Sequence, residues 1–168
     1  MKFQLLFFLS IIMVNSAFAE TKETSTPVVV GWVERVRIHP GELLLEAKIA
    51  PDLASSSIHA KNISEKKKNN SSFVTFSISD REGNTKELTR KVRSVTRIRS
   101  SDDTISKRFV VRLGICMGDV YKEIDITLQD RSNLSSEMRI GRDYLSGNFL
   151  VDPSSTNIIE SKCEVPKK

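Results

Sequence analysis

The chain has 168 residues, of which 28% are charged and 39% hydrophobic, a composition typical of one folded domain. Its formal net charge of +5 is too small for this length to indicate a nucleic-acid-binding protein. Beyond the N-terminal segment, no apolar run reaches the roughly 18–20 residues that a membrane-spanning helix needs, so we expect no stable membrane anchor.

The N-terminal segment has the pattern of a secretory signal peptide. Lys2 precedes an apolar run over residues 3–14, and residues 17–19 (AFA) form a cleavage site of small-x-small type. Removing residues 1–19 leaves 149 of the 168 residues and lowers the charge from +5 to +4, because Lys2 is the one charged residue removed. The sequence therefore predicts a periplasmic or secreted protein that begins with a flexible leader at residues 20–27.

The mature chain is predicted to be all-β, with a barrel-like or folded-sheet core. Hydrophobic and polar residues alternate with period two in several segments that are separated by turn residues such as Pro40 and Gly41. Residues 64–72, rich in Lys, Asn and Ser, predict a solvated loop, and the segment after Gly141 predicts one short helix. We expect the domain at residues 28–155 and a tail at residues 156–168. The predicted strands are residues 28–38, 43–49, 73–79, 88–99, 109–115, 120–128 and 149–151.

One predicted strand carries a row of basic residues, which are Lys91, Arg93, Arg97 and Arg99. Strand alternation would put them on one face, where they could attract an anionic partner, and Arg97 and Arg99 are the binding candidates. The alternative is a solvated face whose charges prevent edge-to-edge aggregation.

The mature chain holds two cysteines, Cys116 and Cys163. An even number in an oxidising compartment favours one disulfide, whereas the alternative is a buried Cys116 and a free thiol in the tail. The two histidines, His39 and His59, lie in no metal-binding motif, so we expect no metal and no cofactor.

An ordered set of segments resembles one known family. The segments are residues 31–36 (GWVERV), 56–60 (SSIHA), 128–132 (LQDRS), 140–145 (IGRDYL) and 149–153 (FLVDP). Together they are similar to the retropepsin-like proteins long labelled ATP-dependent zinc proteases, which are associated with glutamate-ligase genes. The resemblance implies an aspartic-peptidase fold, in which each subunit supplies one Asp-Thr-Gly loop and two subunits meet to form the site.

The catalytic loop is where this sequence departs from the family. The family pattern resembles Lys-Ile-Asp-Thr-Gly-Ala, whereas this chain has Lys48, Ile49, Ala50, Pro51 and Asp52. Aligned without a gap, the catalytic Asp falls on Ala50, which has no ionisable group. A two-residue slip would instead make Asp52 the catalytic carboxylate.

Two functional hypotheses follow. The first is an exported, catalytically degenerate domain that binds a peptide or protein ligand in the envelope, or has a regulatory role there. His59, in the retained segment after the loop, is a further binding candidate. The second is an active, divergent aspartic endopeptidase, in which a homodimer would bring together Asp52 from each subunit. A third hypothesis is a purely structural envelope protein. Separately, Asp130 and Arg131 are expected to form either a surface ion pair or a ligand contact.

Overall fold

The computed structural model describes residues 26–99 and 105–166, so the predicted signal peptide and residues 20–25 of the predicted leader lie outside it. Within these ranges the chain forms ten strands and one four-residue helix, which confirms the all-β prediction. The elements are β1 (Val28–His39), β2 (Leu44–Ile49), β3 (Ser57–His59), β4 (Lys61–Lys68), β5 (Ser71–Ser79), β6 (Thr85–Arg99), β7 (Ile105–Met117), β8 (Val120–Gln129), β9 (Met138–Ile140), α1 (Arg142–Leu145) and β10 (Phe149–Thr156).

The strands form a single mixed sheet in the order β10-β1-β2-β9-β3-β8-β7-β6-β5-β4. A further pairing between β1 and β7 folds the sheet back on itself, so alternate side chains of several strands point into one core. The helix adds Tyr144, a fully buried side chain whose hydroxyl donates a 2.7 Å hydrogen bond to the carbonyl of Val120. No helix among the described residues is long and apolar enough to cross a membrane.

The prediction of a loop at residues 64–72 is wrong, because these residues form the turn and the adjoining strand ends of a hairpin between β4 and β5. Every residue of β4 is exposed, so neither face of this edge strand needs apolar side chains and the alternation is missing. The turn has Asn69 and Asn70 at φ angles of 47° and 56°, which matches the two positive angles that a tight hairpin turn requires. This Asn-Asn pair was the feature of the sequence that indicates a hairpin turn here.

A bulge in β6 divides the predicted basic face. The pairing with β7 shifts between Val92 and Ser94, which adds one residue and reverses the alternation beyond that point. Arg97 therefore falls on the same face as Val95, opposite Lys107, while Lys91 and Arg93 precede or occupy the shift. Lys91 and Arg93 therefore do not share one continuous face with Arg97, contrary to the prediction. The backbone of Arg99 pairs with that of Ile105, and the Arg99 side chain is not among the parts of the chain that the structure describes.

The described residues after Pro153 are held to the rest of the sheet by strand pairing, hydrogen bonds and a disulfide. Strand β10 continues to Thr156, beyond the predicted end at residue 151. The fully buried carboxylate of Glu34 then accepts hydrogen bonds from the backbone N–H groups of Gly31 at 2.7 Å and Ile158 at 3.1 Å. A disulfide joins Cys116 in β7 to Cys163, with their Cα atoms 5.8 Å apart.

Candidate functional site

The segment that matches the family's catalytic loop, residues 50–56, follows β2 directly. Ala50 is 6% exposed, and its N–H donates a 2.9 Å hydrogen bond to the carbonyl of Ile140. Its own carbonyl accepts a 3.0 Å bond from the N–H of Leu53. This bond closes a turn with Pro51 and Asp52 at its tip, positions that suit the fixed φ of proline and the turn preference of aspartate.

Helix α1 holds this loop through its first residues. The N–H of Arg142 donates to the carbonyl of Leu53 at 2.9 Å. The Arg142 guanidinium also donates to the carbonyls of Pro51 at 2.9 Å and Asp52 at 2.8 Å. These bonds from Arg142 fix the positions of Pro51, Asp52 and Leu53 against the segment after Gly141.

A second set of bonds connects the far end of the loop to the same segment. The buried Ser56 donates to the Asp143 carboxylate through its N–H at 2.8 Å and through its hydroxyl at 2.7 Å. The Ser56 hydroxyl also accepts a 2.9 Å bond from the N–H of Gly141. A Cβ at Gly141 would lie 2.9 Å from the carbonyl oxygen of Ser55, so this close approach requires glycine.

The two residues proposed for the catalytic position have different environments. Ala50 presents a buried methyl group, whereas Asp52 is exposed at the tip of the turn. Within the described residues, the Asp52 carboxylate has no hydrogen bond or ion pair. Asp52 is also the one carboxylate in residues 50–56, and its catalytic role stays a prediction.

A cavity of about 370 Å³ lies beside the loop and contains three arginines. Leu53 and three serines of the loop region form one side of it, and residues of β6, β7, β8, β9 and the segment between β8 and β9 form the rest. Its basic side chains are Arg108, Arg131 and Arg139, and none of its described lining residues is acidic. We call it the arginine cleft.

Arg131 is the most constrained of the three. It is 4% exposed, and its Nε donates to the carbonyl of Ser136 at 3.1 Å, while its Nη1 lies 3.4 Å from the hydroxyl of Ser57. Burial, and secondly the charge of Arg139, lower the pKa of Arg131 from its usual value. An arginine starts so far above neutrality that it stays charged. The cleft thus holds a positive charge that no carboxylate among its lining residues offsets.

The other two arginines keep donor capacity. Arg108 uses Nη1 in a 3.1 Å bond to the side-chain oxygen of Gln129. The Nε of Arg139 is buried and has no hydrogen-bond partner among the described residues. Because an unmade bond to a buried charged donor is costly, a ligand that accepts from Arg139 would gain affinity.

Two of the predicted binding residues, His59 and Arg97, lie beside the cleft rather than in its lining. His59 fixes the backbone of Arg131, because its Nδ1 accepts a 2.8 Å hydrogen bond from the Arg131 N–H. Arg97 lies on the strand face opposite Thr96 and Ile98, which do line the cleft. The Asp130 carboxylate accepts a hydrogen bond from the Ser132 N–H and lies 3.7 Å from His59 Nδ1. It forms no ion pair with Arg131, whose side chain points inward.

Sequence reasoning missed the arginine cleft as a site. Arg139 belongs to no binding motif, and Arg108 lies just before the predicted strand at residues 109–115, so neither residue indicated a site. No group of three or more His, Cys, Asp or Glu side chains in residues 26–99 and 105–166 could hold a metal ion.

Similarity to known proteins identifies the family of this fold and loop. A sequence model described as "Retropepsin-like aspartic endopeptidase RimB" matches residues 29–162. The chain belongs to the RimB-like family. This match confirms the resemblance to retropepsin-like proteins. A Legionella pneumophila protein of unknown function has a solved structure similar to this RimB-like chain, with a TM-score of 0.68 and 28% identity, covering 79% of this chain and 98% of that one.

Curated relatives of the RimB-like chain include larger proteins named probable alpha-L-glutamate ligase. One from Shewanella halifaxensis is 32% identical over 115 residues, which cover 67% of this chain and 25% of that protein. One from Parasynechococcus marenigrum is 24% identical over 116 residues, with coverage of 67% and 25%. The RimB-like chain thus spans about a quarter of the length of these relatives.

Proposed function

We propose that this protein is an exported, non-catalytic RimB-like domain that binds acidic peptide segments in the arginine cleft. The observation that carries the proposal is the cleft itself. Three arginines with no lining carboxylate lie directly beside a loop that has alanine at the family's catalytic position. Export rests on the signal-peptide pattern and places the ligand in the cell envelope.

The chemistry of aspartic peptidases explains why catalysis is lost. Two carboxylates a few Å apart share one proton, so that one activates water while the other protonates the peptide carbonyl. Ala50 cannot contribute to such a pair. Asp52 lies at the tip of a turn whose carbonyls are already bonded by Arg142. The loop therefore keeps its shape without its reactive group.

The chemistry of guanidinium groups explains why the ligand is acidic. Arginine offers several N–H donors in a plane that matches a carboxylate, and charge-assisted bonds of this kind are stronger than neutral ones. Arg131 is already ordered by Ser57 and Ser136, so a ligand does not have to order this side chain. Relatives named as glutamate ligases support glutamate-rich peptides as the first ligands to test.

A binding measurement with matched variants tests this function. We expect labelled hexaglutamate to bind the mature protein. We expect Arg139→Gln to weaken binding tenfold or more, since one charge-assisted bond contributes about 1.5–3 kcal/mol and about 1.4 kcal/mol is a factor of ten. Fluorescence anisotropy at fixed ionic strength measures the dissociation constant. Arg139 is preferred to Arg131 for substitution, because Arg131 is buried and its replacement could affect folding.

Arg97→Gln is the matched control, because Arg97 is an exposed arginine outside the cleft lining. We expect this variant to bind hexaglutamate within about twofold of the wild type. Equal losses of hexaglutamate affinity in the two variants would indicate that the basic residues of β6, and not the arginine cleft, bind the peptide. Equal affinity for hexaglutamine and hexaglutamate would reject an acidic ligand altogether.

A further inference from the structure

A second cavity of about 650 Å³ lies at the opposite end of β2 from the catalytic-loop segment. It is bounded by the turn between β1 and β2, by β6, β7 and β8, and by Val165 and Pro166 of the tail. It shares no lining residue with the arginine cleft. The Cys116–Cys163 disulfide fixes the tail just before the two residues that form its wall. We call it the turn cavity.

His39 contributes an unsatisfied polar atom to the turn cavity. The side chain is more than nine-tenths buried, and its Nδ1 lies 2.6 Å from a carboxylate oxygen of Glu42. That short contact makes Nδ1 the N–H donor, and Tyr121 packs edge-on against the ring with centroids 5.7 Å apart. The remaining ring nitrogen, Nε2, is buried and has no partner in the described residues. A buried polar atom of this kind calls for a ligand atom or a functional reason.

The cavity also has an excess of basic side chains. Arg93 and Arg112 lie 3.5 Å and 2.8 Å from Asp125, so their charges are partly offset. Arg90 and Lys91, which lie in β6 like Arg93, have no carboxylate partner among the described residues. The lining carboxylates, which are Glu42 and Glu123, interact with His39 and Tyr121 respectively. The unpaired charges that face the cavity are therefore basic.

We propose that the turn cavity binds a phosphate group, held by Arg90, Lys91 and His39. A tetrahedral phosphate suits two basic side chains of β6 and a histidine at the end of β1, because its oxygens form bonds in several directions. A protonated phosphate oxygen can donate to Nε2, while the charged oxygens accept bonds from Arg90 and Lys91. The group is either free phosphate or a small phosphate monoester. This site is independent of the acidic-peptide function.

Calorimetric titration of the mature protein with inorganic phosphate, at constant ionic strength, tests the site. We expect saturable binding that the Arg90→Gln/Lys91→Gln variant weakens about tenfold or more. Lys66→Gln/Lys67→Gln is the control, because it removes two exposed basic residues of β4 that lie outside the cavity and leaves the affinity unchanged. In parallel, the ¹⁵N resonance of His39 Nε2 is expected to shift and saturate with phosphate.

Glycerol phosphate distinguishes the two sources of the phosphate group. Binding of inorganic phosphate alone identifies free phosphate as the ligand, whereas binding of both identifies a site that accepts monoesters. Equal losses in the two double variants would overturn the proposal, because binding would then follow net charge alone. So would non-saturable binding, or a His39 resonance that does not respond.

Discussion

Replacing Cys163 with serine is expected to lower the free energy of unfolding by about 4 kcal/mol. The disulfide to Cys116 spans a sequence separation of 47 residues, and closing a loop of that size removes much of the entropy of the unfolded chain. Cys163 is the better position to substitute, because Cys116 is 1% exposed and a hydroxyl there would be buried. Denaturant unfolding monitored by the fluorescence of Trp32 measures the change.

A reducing agent supplies the control for this prediction. Reduction is expected to destabilise the wild type by a similar amount and to leave Cys163→Ser unchanged, because the variant has no disulfide to lose. Unfolding of the variant at the same denaturant concentration as the oxidised wild type would show that the bridge adds nothing to stability.

Replacing Gly141 with alanine is expected to cost about 3 kcal/mol. The added Cβ would meet the carbonyl carbon and oxygen of Ser55 at 2.9 Å and the carbonyl oxygen of Leu53 at 3.0 Å. These are backbone atoms, so no side-chain rotation relieves the overlap. The loop or the segment after Gly141 must shift, which would also disturb the bond from the Gly141 N–H to Ser56. Chemical denaturation measures the change in stability.

Gly147→Ala is the matched comparison. Gly147 has a φ of 82°, and a Cβ added there would have no atom within 4 Å, so alanine meets backbone strain without overlap. That strain is expected to cost about 1 kcal/mol. A loss at Gly141 no larger than that at Gly147 would mean that the loop tolerates a side chain and is packed less tightly than described.

The fold could be predicted well from local patterns. Strands such as β5 and β8 alternate buried and less buried residues along one core face, and that period is visible in the sequence. The β4 strand could not be recognised by this means, because it lies at the sheet edge with both faces exposed. The basic strand was misjudged because one inserted residue, at the bulge after Val92, reverses the alternation.

The arginine cleft could not be predicted, because its parts are distant in the chain. Arg139 pairs with Lys48 on one side and with Ser57 on the other, which inserts β9 between β2 and β3. Arg108 comes from β7, and Arg131 turns inward from the segment after β8. Only strand pairing brings these side chains together. The altered catalytic loop, in contrast, is a local feature, and the position of Ala50 could be read directly.

Acid-range peptide cleavage tests most directly the claim that this RimB-like domain binds without cutting. The mature protein and its Asp52→Asn variant are incubated with a mixed peptide library that includes glutamate-rich sequences, and products are identified by mass spectrometry. We predict no cleavage above a protein-free control, with the wild type and the variant alike. Cleavage by the wild type that Asp52→Asn abolishes would contradict the account and establish an active peptidase built on Asp52.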